Sequence, residues 1–218
     1  MPVSSGGAIA CRIIDKATDF PKTSRANGLQ PRSMEVLDSL GGADQILARG
    51  YLVNGVSLIR EGQEVARFAM SLDQGAHLAR RGQPYRSVVA VNQAIIEGAL
   101  REKRGDLGGR VESQTELRDF DETPGGLLAR VVDLASDMVE SVGAKWIVGC
   151  DGAHSTVRRL LQLPFEGEEY PEHLVLADVH LKDHLPEGLT IMWLNDEGLL
   201  AGIPFREPGL WRLMAVVK

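Results

Sequence analysis

The stretch Trp146-Ile147-Val148-Gly149-Cys150-Asp151-Gly152-Ala153-His154-Ser155-Thr156-Val157-Arg158-Arg159 decides how this chain is read. Its apolar run, Trp146 to Cys150, reads as a buried strand. The run ends in Cys150-Asp151-Gly152, a tight turn in which Gly152 permits a left-handed or closely approached backbone. A helix starts at once. Ser155 or His154 stands at its cap position, and Pro164 stops it after Leu163. The Asp151 carboxylate is thereby expected at the carboxyl end of a strand, beside a helix N-terminus, which is where open α/β sheets bind ligands. The same carboxylate can instead accept hydrogen bonds from the helix amides, a purely structural role.

Composition bounds the rest. At 218 residues, 44% of them apolar and 25% charged, the chain is an ordinary globular sequence of one large or two small domains. A chain of this length buries roughly 70% of its unfolded surface and needs no disulfide or metal staple. Its 24 basic and 30 acidic residues give a net charge of -6, and no basic stripe is present, which argues against nucleic-acid and anionic-membrane partners. Cys11 and Cys150 lie in apolar, strand-like contexts and are expected to be buried, reduced thiols. No Cys/His cluster has zinc spacing. There is no basic-then-apolar leader and no apolar run of the roughly 18 residues a membrane span requires, so a cytoplasmic location is expected.

Along the chain, residues 1–8 read as a disordered start, 10–14 as a strand ending at Asp15, and 18–28 as a loop. A helix is predicted from Pro31, turned at Gly41-Gly42. Strands 53–59 and 64–70 meet around Glu61-Gly62, residues 71–86 read as loop with a possible short strand, and 92–103 has helical spacing. The short runs 110–112, 115–120, 127–134 and 138–142 read as a β-meander inserted between a helix and a sheet strand. After Pro164 the pattern is strands: 174–181, 189–194, 199–203 and 211–217.

Three groups of residues carry a resemblance. One is the Asp-Gly turn. A second is Arg12-Ile13-Ile14-Asp15-Lys16-Ala17 followed by Ser24-Arg25-Ala26-Asn27-Gly28-Leu29-Gln30-Pro31-Arg32-Ser33-Met34-Glu35. The third is Phe165-Glu166-Gly167 followed by Leu176-Ala177-Asp178-Val179. Together, and in this order, they resemble the FAD-dependent aromatic hydroxylases, the single-component flavoprotein monooxygenases, over nearly the whole chain. The resemblance implies an α/β fold: an incomplete Rossmann-like FAD-binding domain with an inserted β-meander over 1–170, then the start of a mainly β substrate domain over 171–218. It assigns cofactor contacts to Asp15, with Lys16 beside the adenosine, and to Arg25, Gln93 and Asp151. Asp15 suits the part, because an acidic residue ending the second strand of a dinucleotide fold hydrogen-bonds the ribose. Arg25 suits phosphate, which a guanidinium pairs with bidentately. FAD, NADPH or NADH as electron donor, and a small phenolic or polyketide substrate are implied with them. No nucleophile-plus-base set is readable, and no catalytic residue can be named. That suits flavin chemistry, in which the protein mainly binds, orients and excludes water.

Counting back about 20 residues from Asp15 to the glycine-rich phosphate turn runs off the front of the chain. A second Gly-Asp flavin motif is not found before Lys218. The resemblance therefore implies a middle portion of such an enzyme. A missing central strand would leave unpaired edges, so a homo-oligomer is expected. Two readings stay open: a flavin hydroxylase, impaired in this chain, and a non-catalytic truncated homologue serving as a dimerisation or binding module.

Overall fold

A computed structural model describes residues 10–20, 27–70, 85–182, 185–196 and 198–217. The start at 1–8 and most of the 71–86 loop lie outside the described residues. In chain order the elements are β1 (Ile13–Ile14), β2 (Gly28–Leu29), α1 (Pro31–Ser39), α2 (Ala43–Arg49), β3 (Tyr51–Val53), β4 (Gly55–Arg60), β5 (Gln63–Ala69), β6 (Val88–Ala90) and α3 (Gln93–Asp106). They continue with β7 (Val111–Glu112), β8 (Thr115–Thr123), β9 (Gly126–Asp133), β10 (Met138–Ala144), α4 (Thr156–Leu160), β11 (His173–His180), β12 (Leu189–Asn195), β13 (Gly198–Pro204) and β14 (Leu210–Val217). This is the expected mixture of α and β, dominated by strands. No helix among the described residues is long and apolar enough to cross a membrane.

The chain forms two compact units, each assembled from two stretches: residues 1–20 with 104–169, and 21–103 with 170–218. In the first unit β1 pairs in parallel with β7, and β8, β9 and β10 form the antiparallel meander. Arg12 holds the short parallel pair in place. Its guanidinium donates to both Glu112 carboxylate oxygens, at 2.9 and 2.8 Å, and to Glu140 at 2.8 Å. Ala129, Val131 and Val132 of β9 are the buried apolar side chains of the meander.

In the second unit Pro31 opens α1 at a position where its missing N–H costs no hydrogen bond. The helix ends where Gly41 takes φ +73°, and the Gly41 and Gly42 amides return to the carbonyls of Asp38 and Leu37. Met34, Leu37, Ala43 and Ile46 then pack with Val89, Val91 and Ala99, joining α1 and α2 to α3 and the β6 segment. A six-stranded sheet runs in the order β11-β14-β13-β12-β4-β5. Residues 55–69 thus belong to the same sheet as residues 173–217, through parallel pairing of β4 with β12. Glu61 and Gly62, at φ 51° and 77°, form the tight turn of the β4–β5 hairpin expected there.

Several local expectations are corrected. Trp146 to Cys150 is neither buried nor paired in a strand: Trp146 is 84% and Val148 80% exposed. The β9–β10 ladder ends at Ala144↔Leu127, and among the described residues no strand lies beside the run that follows. An apolar run is buried only where neighbours cover it. Both cysteines are exposed for the same reason, Cys150 at the end of that run and Cys11 before a two-residue strand. The helix after the Asp-Gly turn is shorter than expected, a 3-10 turn at Gly152–His154 followed by α4 alone. The two-residue strand β2 lies where loop was read, because Gly28-Leu29 is held against β6.

Candidate functional site

Asp15 stands at the carboxyl end of the parallel pair. Its N–H donates to the Glu112 carbonyl at 2.8 Å, and its own carbonyl accepts from Thr115 N–H at 2.9 Å. Its backbone is therefore held between β7 and β8. Carboxylate oxygen Oδ1 accepts the Ala17 amide at 2.9 Å, a local Asx turn that fixes the side chain while leaving it exposed. Lys16 Nζ lies 3.9 Å from Glu116 at 69% exposure, a surface pair of little energetic consequence.

Asp151 Oδ2 accepts the Thr156 amide at 2.6 Å and the Val157 amide at 3.4 Å. A hydrogen bond from Ser155, and then those of the backbone amides, hold this carboxyl below its ordinary range. Ser155 is the N-cap itself, its Oγ accepting the Arg158 amide at 3.1 Å. The turn thus forms a double cap on α4, and one oxygen of Asp151 is committed to it. No hydrogen bond or ion pair links Asp151 to Asp15 among the described residues. No cluster of metal-ligating side chains occurs among them.

In the second unit Gln93 is the first residue of α3. Its Nε2 donates to Glu97 at 2.7 Å, while Asn92 Oδ1 caps the helix by accepting the Ala94 amide at 2.9 Å. Around this helix start lies an open groove of about 560 Å³, whose walls include Arg49, Asn92, Ile95, Asp178, Phe205 and Arg206. Two guanidinium groups beside a phenyl ring suit a planar ligand with acceptor or anionic groups. Arg25 lies outside the described residues.

Asn27 was not singled out in the sequence, since nothing in Ala26-Asn27-Gly28 signals burial. It is only 7% exposed, and its Nδ2 has no hydrogen-bond partner among the described residues. Leaving a buried amide donor unpaired costs about 1–3 kcal/mol, and buried polar groups are paired in the great majority of cases. Asn27 is held at the start of α3 because its carbonyl accepts the Val91 amide at 2.9 Å. An unsatisfied donor near the N-terminus of a 14-residue helix fits a ligand rich in acceptor oxygens, such as FAD.

Residues 5–218 match a family model described as FAD binding domain. Similar proteins include 6-methylpretetramide 4-monooxygenase of Streptomyces rimosus, 31% identical over 94% of this chain and 35% of that protein. Another is a flavin-dependent monooxygenase of Mycobacteroides abscessus, 32% identical over 78% of this chain and 36% of that protein. The chain spans about a third of the length of these curated relatives. Its fold is shared with the flavin-dependent monooxygenase PieE, solved in complex with FAD and substrate, at TM-score 0.80 and 20% identity over 94% of this chain and 38% of that one. It is also shared with p-nitrophenol 4-monooxygenase PnpA of Pseudomonas putida, at TM-score 0.81 and 21% identity over 94% and 51%. The strand-end Asp15, the Asp-Gly turn and a family match from residue 5 to the last residue lead to one conclusion: the chain belongs to the FAD binding domain family.

Proposed function

We propose that this chain carries part of the cofactor site of an FAD-dependent monooxygenase that hydroxylates a phenolic or polyketide aromatic, with NADPH or NADH as electron donor. The family match over residues 5–218 carries this reading. The names of the relatives support the substrate class. Asp15 and Lys16 would serve the adenosine end, Arg25 a phosphate, and Gln93 and Asp151 the remainder of the cofactor. The flavin, when bound, supplies the redox chemistry with oxygen. The protein's own contribution is to bind, to orient and to exclude water. Asp15, anchored at both backbone groups, offers a ribose hydroxyl a pre-positioned acceptor. Asp151, with Oδ2 committed to the amides of α4, would serve the cofactor from that fixed position.

Titration of the purified chain into FAD, followed by flavin fluorescence, tests the reading. Saturable quenching is expected, and its weakening in Asp15→Ala supports the adenosine role. A chain that leaves FAD fluorescence unchanged at high protein concentration overturns the FAD reading.

The alternative, a dimerisation module, draws on the exposed Trp146 and Val148, two apolar side chains on an extended segment with no strand beside it among the described residues. Two copies of such a segment can pair antiparallel about a two-fold axis, each burying the other's side chains. Light scattering across a concentration series tests it. A concentration-dependent dimer that Trp146→Asp abolishes supports the module, and a monomer throughout excludes it.

A further inference from the structure

The geometry points to Asn27 as a positioning residue for the cofactor, its side-chain amide donating a hydrogen bond to an acceptor oxygen of bound FAD; this rests on the FAD reading above. Three observations converge. The Nδ2 donor is buried and has no partner among the described residues. Its backbone is pinned where β6 hands over to α3: the Asn27 carbonyl takes the Val91 amide, and Gly28 and Leu29 pair with Ala90 and Val89. Val91 lies two residues before α3, so this bond ties Asn27 beside the positive end of a 14-residue helix with its Asn92 cap, where a ligand's acceptors are favoured. Gln93 Nε2 is engaged by Glu97 within the helix, whereas Asn27 Nδ2 is engaged by nothing among the described residues. The terminal torsion of an asparagine is broad, so the amide turns toward a ligand without a change in the backbone. Packing alone does not ask for an amide here, because a leucine fills a similar volume and leaves no donor stranded.

The contrast between free and bound protein makes the role testable. In the free chain the unpaired amide is a burden, so Asn27→Leu is expected to leave the urea midpoint unchanged or raise it. In the complex the amide is satisfied, so the same variant is expected to raise the Kd for FAD about tenfold, the equivalent of one hydrogen bond. Asn27→Asp keeps the shape and replaces the donor with an acceptor, and it is expected to weaken FAD at least as much. Both constants are read by titration and unfolding, with no turnover required. An Asn27→Leu protein that unfolds, or whose midpoint falls, shows a structural partner for the amide and overturns the inference. A folded variant with the wild-type Kd for FAD overturns it alone and leaves the FAD reading standing. A wild-type chain that binds no FAD overturns both.

Discussion

Asp178 on β11 and Arg212 on β14 are direct cross-strand partners, joined by hydrogen bonds of 2.7 and 2.9 Å in a two-pronged pair. The Arg212 side chain is only 3% exposed, and its guanidinium lies 5.4 Å from the centre of the Phe205 ring. Asp178 is 38% exposed and also lines the groove at the start of α3. Removing the carboxylate would take both of these hydrogen bonds and an adjacent opposite charge from a buried guanidinium. Asp178→Ala is expected to destabilise the chain by about 3 kcal/mol, at the low end for a broken buried pair because Asp178 is partly solvated. The double variant Asp178→Leu with Arg212→Met is expected to recover much of that loss. Urea unfolding of the three proteins checks this, and equal stability of wild type and Asp178→Ala would refute it.

The cap on α4 makes stability depend on acid. Asp151 has a depressed pKa in the folded chain, through Ser155 and the helix amides. Its contribution is fully present above the ordinary carboxylate pKa of about 4 and is lost as pH falls through the lower folded value. Asp151→Ala is expected to cost about 1 kcal/mol at neutral pH, as for other lost N-caps. The difference from wild type should shrink as the solution is acidified below about pH 4. A gap that stays constant down to the acid transition would show that the charge is not what holds the turn.

Two adjacent glycines in the β8–β9 turn should behave differently. Gly126 has φ +141°, and a Cβ there would run into the Ala144 carbonyl oxygen, whereas a Cβ on Gly125 meets nothing within 4 Å. Gly126→Ala is expected to destabilise the meander by about 1–3 kcal/mol, with Gly125→Ala near neutral. Thermal unfolding of the pair decides it, since equal midpoints would contradict the geometry.

Trp146 is 84% exposed and Trp211 6%. The fluorescence lost in Trp146→Phe should therefore be red-shifted and readily quenched by acrylamide. A blue-shifted, protected difference spectrum from a monomeric sample would show that the segment is covered.

Much of the local architecture was legible. Pro31 and Gly41 bracket α1, Glu61-Gly62 marks the hairpin, the spacing of Ala94, Ile95, Ala99 and Leu100 marks α3, and the breaks between 110 and 144 mark the meander. Each is set by residues a few positions apart. The order of the motifs also carried the family. The site was less legible. Asp15 lies at a strand end as its position implied, but whether Asp151 met amides or a ligand was left open, because both suit a carboxylate at a helix start. Asn27 gave no sign at all, since burial of a side chain is a property of its surroundings.

The sequence by itself determined the helices, the turns, the run of strands and the membership of the FAD binding domain family, because periodicity, caps and motif spacing are local. Only the tertiary structure decided that β4 pairs with β12, that Trp146 and Val148 face outward, that Asp151 spends an oxygen on α4, and that Asn27 is enclosed with its amide donor unpaired among the described residues. Those outcomes depend on which distant segments come alongside. An apolar run looks the same in sequence whether or not a neighbour covers it, and a polar residue looks the same whether or not a partner reaches it.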